Sequence, residues 1–395
     1  MKQPTDIIPS GRLSRWRRAA LVSDIHATQA LFFPAAAAYG AVIPLLSMAA
    51  MTGLLPGLPS LAAGLGHAHE MLFGFALAVV AGYVTGPLPR WRLWAMFLLW
   101  LLARGLYLAE PQGGWTGLVN AAFAVLLAVQ AAPRFASRAK KWRNQMLAPL
   151  LALLCASAAA VEALRRWGAP DWQHTALLEA LLMLALLMLF MGGRIIAPAA
   201  AGQMQRQGGL LEARVQPHLE ATLIVAMAAA VVLLPWIPAL AAVALLAAAV
   251  TGAVRLWRWR LWECQARADL WGLGVGYAWL AAGLMLIAGV LAGQVGRATG
   301  IHALAVGALG SLTLGVMTRT RLQWAKYDPA QSRLIAAGSL LVTAAALLRV
   351  LAAQAGAWSW VCLWAAAVLW AVAFLGVAVK LARLKRQPGR RDQAA

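Results

Sequence analysis

Histidine is scarce in this chain, six residues in 395, and two of the six stand in the string His67-Ala-His69-Glu70. His302 opens a second apolar stretch and His174 a third, so several imidazoles fall at one expected depth. Neutral imidazole is a usual axial ligand of haem and a good ligand for copper. His67, His69, His174 and His302 are therefore the candidate metal ligands. Spaced i, i+2 on a helix, His67 and His69 point about 200° apart. Either His67 folds back from a loop or the two serve different centres. The blander alternative is that interfacial histidines keep their polar tips among headgroups.

Carboxylates and arginines complete the candidate set. Glu70 is well placed at a helix N-terminus, and beside two histidines it could orient an imidazole as its acceptor. Glu179 stands roughly 7.5 Å deeper than His174 along a helix. Intramembrane carboxylates are costly and usually functional, which suggests proton transfer; a plain partnership with Arg104 or Arg349 competes with that reading. Arg194 in Met191-Gly192-Gly193-Arg194-Ile195 and Arg319 in Met317-Thr318-Arg319 neutralise helix C-termini. They could also clamp haem propionates.

The elements that must position these groups are membrane spans. The chain is 62% hydrophobic and 12% charged, with mean hydropathy +0.72, which a soluble domain of this length does not reach. A spanning helix needs about 20 apolar residues. Twelve stretches qualify, near 29–50, 69–86, 91–109, 114–133, 145–164, 174–192, 219–236, 237–254, 269–291, 301–318, 331–352 and 357–382. The seventh and eighth are separated only by Pro235-Trp236-Ile237-Pro238. The expected class is all-α: a short segment 1–28, a bundle 29–382 and a basic tail 383–395, with the longest loop at 193–218.

Net charge +21 would suggest nucleic acid in a soluble protein, but its placement points to a membrane. Assigning loops alternately puts 29 of the 34 Lys and Arg on one side. By the positive-inside rule that side is cytoplasmic, with both termini inside a bacterial inner membrane and the histidines near the outer face. The basic start precedes a long apolar stretch with no small-residue cleavage site, as expected of a retained first span. Cys155, Cys264 and Cys362 are singletons without a CxxC spacing, which reads as packing. His26 and His218 read as surface residues, and several of the tryptophans lie near span ends as aromatic belts require.

An internal echo links two spans. His69 is followed by Gly74, Gly82 and Thr85, and His302 by Gly307, Gly315 and Thr318, at the same offsets. With His174 opening the sixth span, spans two, six and ten suggest three four-helix units around a shared interior.

The strings His67-Ala-His69-Glu70-Met71-Leu72-Phe73-Gly74-Phe75, Gly192-Gly193-Arg194-Ile195-Ile196, Gly276-Tyr277 and His302-Ala303 through Met317-Thr318-Arg319 resemble the NnrS family. That resemblance implies a twelve-span membrane protein carrying haem (b-type) and copper, acting in the response to nitric oxide alongside denitrification. It implies ligation by His67, His69 and His302, with Glu70, Arg194 and Arg319 as motif residues. The chain departs from the pattern at Gly274, where members commonly carry histidine, and at Gln323-Trp324-Ala325-Lys326, where they tend to carry Gly-His-Thr-Gly. The topology also has an analogue in the main subunit of haem–copper oxidases. The functions kept open are reaction with a nitrogen oxide, haem or copper delivery to another complex, and haem-free transport.

Overall fold

The computed structural model describes residues 25–138 and 142–385. Most of the expected N-terminal segment and of the basic tail therefore lies outside the described residues, as does the side chain of His26. Among the described residues, twelve helices are long and apolar enough to cross a membrane. They are span 1 (Gln29–Met51), span 2 (Gly64–Val84), span 3 (Arg90–Ala109), span 4 (Gly114–Ala136), span 5 (Trp142–Arg166) and span 6 (Pro170–Arg206). There follow span 7 (Glu212–Leu233), span 8 (Pro238–Glu263), span 9 (Ala268–Leu291), span 10 (Arg297–Trp324), span 11 (Arg333–Leu351) and span 12 (Gly356–Arg383). The even number puts both ends of the bundle's chain on one side. One small departure from all-helix is an antiparallel ladder, Ile25–Ala27 against Pro87–Pro89.

Two boundaries differ from the sequence expectation. Span 2 begins five residues early, at Gly64, so His67 and His69 are inside the helix rather than at its mouth. Span 6 does not end at 192. It continues as helix through Arg206, and the expected long loop shrinks accordingly. The Ala-rich run after Arg194 keeps high helix propensity although it is less apolar, and Pro198 is accommodated within it. At 37 residues the helix is about 55 Å long, well beyond a hydrocarbon core of about 30 Å, so it projects past the bilayer. Gly208, with φ of 79°, stops it.

Burial separates the twelve into two shells. Spans 2, 6 and 10 are 72%, 78% and 72% buried over their most apolar windows, the other nine between 33% and 50%. The outer helices form a ring in which span 4 packs on span 5, span 8 on span 9, and span 12 closes on span 1. The Trp370 indole donates to the Gly40 carbonyl at 2.7 Å across that last seam, and its ring packs on Phe75 and Phe374. Faces away from the core carry exposed residues such as Val129, Leu240 and Leu340, as lipid-facing positions do. Exposed tryptophans (Trp91, Trp115, Trp167, Trp236, Trp358) sit at span ends, in line with the expected aromatic belts.

The three central helices meet in one register. Span 2 presents Ala76, Val79, Val80 and Tyr83 to a shared interior space, span 6 Leu184, Leu187, Met188 and Met191, and span 10 Leu309, Leu312, Thr313 and Val316. Each set runs i, i+3, i+4, i+7, one face of a helix, at the same stage of its span. Spans 2, 6 and 10 thus line one shared interior.

Candidate metal and charge sites at one end of the bundle

The echo between spans 2 and 10 has a structural counterpart. Each helix passes into a π-helical turn directly after its histidine, Glu70–Ala76 after His69 and Ala303–Gly310 after His302. Span 6 has none, and its Leu177, not His174, occupies the equivalent position seven residues before the first interior-facing residue. π turns cluster at functional sites because they misalign the backbone and free carbonyls. Here the Trp100 indole donates to the Gly74 carbonyl at 2.9 Å.

His67 and His69 go separate ways, as their spacing required. His67 and His302, both half-buried, come together with ring centroids 6.5 Å apart and planes 19° from parallel. His302 Nδ1 lies 2.8 Å from the Ala298 carbonyl. A carbonyl only accepts, so Nδ1 carries the hydrogen and Nε2 keeps its lone pair. His67 Nδ1 lies 2.9 Å from the Ser47 hydroxyl. Ligating histidines are anchored in this way through their second nitrogen. At a centroid separation of 6.5 Å one bound metal or haem could contact both rings, His67 and His302 being the residues that would hold it. The Arg349 guanidinium, near the end of span 11, is close enough to act electrostatically on both rings.

Gly66 fixes the approach of this segment. A β-carbon there would lie 1.7 Å from the Ser60 carbonyl oxygen, and backbone cannot rotate aside as a side chain can. Gly66→Ala is therefore expected to cost about 1–3 kcal/mol and to move His67 with it. Thermal unfolding in detergent checks this, and melting at the wild-type temperature would refute it.

His69 is fully buried and has no free ring nitrogen. Nδ1 is 2.8 Å from Glu70 Oε1 and Nε2 is 2.8 Å from Glu162 Oε1. Its ring stacks on Tyr107 at 4.0 Å. Arg104 donates to Glu70 at 2.5 Å and also to Asn120; the Tyr39 hydroxyl donates to the other Glu70 oxygen. Arg165 holds Glu162 through Nε at 3.0 Å and Nη2 at 2.7 Å. Gly74 makes room for this cluster, since a β-carbon there would lie 2.7 Å from the Tyr39 ring and 3.2 Å from Arg104. Each histidine–carboxylate contact needs a hydrogen, and ionised carboxylates bring none. Either His69 is an imidazolium or one carboxyl is protonated, so the cluster holds a proton beyond neutral imidazole and two carboxylates.

The remaining sequence candidates lie apart from the pair. His174 is exposed and bonded to the Pro170 carbonyl. Glu179 is half-buried, with neither Arg104 nor Arg349 as its partner. Arg194 and Arg319 stand at the far end of the bundle, roughly 25 Å along their helices from the histidine level. Arg194 binds Glu220 and Asn144, and Arg319 binds Asp269 together with Arg267. Their distance separates them from any group held by His67 and His302. Among the described residues no group of three or more His, Cys, Asp or Glu is arranged to hold a metal ion. Cys155 and Cys264 are buried and Cys362 half-buried; burial raises the Cys264 thiol above its ordinary pKa.

Sequence reasoning missed Glu162, Asn120, Tyr107, Tyr39 and Ser47. Glu162 carried a signal, an acid three residues before Arg165 near the end of an apolar run, which reads equally well as an exposed helical pair.

The NnrS protein family matches residues 30–388, nearly the whole chain. The chain belongs to the NnrS family. The match takes in every span and both histidine segments of this NnrS chain. No curated protein matches it.

Proposed function

We propose that this NnrS-family protein binds haem or copper through His67 and His302 and acts in the response to nitric oxide, reacting with it or a related nitrogen oxide. The observation that carries this reading is the anchored histidine pair: two imidazoles from helices far apart in sequence, nearly parallel, 6.5 Å between centroids. When bound, such a group supplies an electron-rich metal for a small diatomic ligand. The chain's own residues do the rest. Ser47 and the Ala298 carbonyl hold the rings in place. Arg349 offers positive charge to a propionate or an anionic ligand. The Glu70–His69–Glu162 chain holds a proton close by, and Glu179, with no charged partner among the described residues, remains a candidate for proton movement. The charge asymmetry of the loops favours a bacterial inner membrane with both termini inside and the histidine end outward.

A haem-free carrier fits less well. Carriers place polar binding groups near the midplane, where this bundle has an apolar interior. Delivery of haem or copper to another complex shares the ligands and differs in reactivity.

Purified full-length protein from haem- and copper-replete cells is expected to show a Soret band or stoichiometric copper that changes with nitric oxide. His302→Ala is expected to lose it, and His174→Ala to keep it. Wild-type protein lacking both iron and copper would overturn the proposal.

A further inference from the structure

Native interiors close to the density of organic crystals and leave few voids larger than a water molecule. Spans 2, 6 and 10, with Leu273 of span 9, line a partly open cavity of about 80 Å³, several times the roughly 10–15 Å³ that one water needs. Its walls are almost wholly apolar, aliphatic side chains joined by Tyr83, Met188 and Met191. Thr313 contributes a hydroxyl, but that group donates at 2.6 Å to the Leu309 carbonyl of its own helix. Water needs two to four polar partners to stay in such a place, and apolar cavities stay dry and take up xenon or benzene instead. Small side chains on the interior faces, Ala76, Val79 and Val80 among them, keep the space open where three helices meet in one register.

We propose that this cavity is a binding site for small uncharged apolar gas molecules, the class to which dioxygen, nitric oxide and xenon belong. Such molecules concentrate in the hydrocarbon of the bilayer, and the cavity lies at the centre of a bundle immersed in it. Charged and hydrogen-bonding solutes are excluded because the walls have nothing to exchange for their hydration. The proposal is independent of the metal reading, since none of the lining residues is a histidine.

Full-length protein crystallised and pressurised with xenon tests it. Xenon density is expected between Val80, Met188 and Thr313. Val80→Phe and, from a different helix, Leu187→Phe fill the space and are each expected to abolish that density. His302→Ala is expected to keep it, so a failed metal site and a failed gas site are distinguishable. No xenon in the wild-type cavity, an ordered water or acyl chain occupying it, or xenon persisting in a well-folded phenylalanine variant would each overturn the proposal.

Discussion

Replacing Arg104 with methionine is expected to cost about 3–5 kcal/mol, because it strips the cation from a buried carboxylate while leaving that carboxylate in place. Glu70 is fully buried, and Arg104, itself buried, is its charged partner from span 3. The methionine fills much of the same volume, so the loss is electrostatic rather than a cavity. Adding Glu70→Gln to Arg104→Met removes the stranded charge and is expected to recover part of the loss. Thermal unfolding of the purified proteins in one detergent measures both effects. An Arg104→Met protein that melts with the wild type would show that the ion network contributes nothing to stability.

The second large effect divides two histidines that the sequence places side by side. His67→Ala is expected to lower metal content at least tenfold, in the range that ligand support commands, with melting close to wild type. His69→Gln is expected to do the reverse. With His69 gone, Glu70 and Glu162 are left facing each other without the ring that bridges them, a cost of similar size to the loss of Arg104. The folded fraction should still hold metal, because His67 and His302 are untouched. Metal analysis and melting on the same preparations decide the matter. Loss of metal with His69→Gln and retention with His67→Ala would reverse the assignment of the ligands.

Much of the architecture was legible in the sequence because the hydrocarbon core imposes a length on every crossing. Even the short break at Pro235-Trp236-Ile237-Pro238 does separate two spans, with Pro238 starting span 8. The echo after His69 and His302 was legible too, and it marks two π turns. Partner choice was not. Periodicity says that His67 and His69 point apart, but not which of them faces span 10, since that depends on how whole helices rotate in the bundle. His302, the sequence twin of His69, pairs with His67 instead. Glu162 was overlooked for a related reason: the groups it joins come from other spans, and no local pattern records them. The end of span 6 escaped because hydropathy reports where a helix leaves the bilayer, whereas the hydrogen-bond ladder continues to Arg206.

The seam between spans 1 and 12 has a consequence for biogenesis. The Trp370 indole and the Gly40 carbonyl that accepts from it are 330 residues apart, so at synthesis speeds of about 5–20 residues per second they are made roughly 15–70 s apart. Throughout that interval the first helix waits in the membrane with the groove of its final neighbour filled by lipid. Lateral assembly of the barrel-like ring is thereby tied to release of the last helix from the insertion machinery, and the earliest helix to enter is among the last to find its complete surroundings.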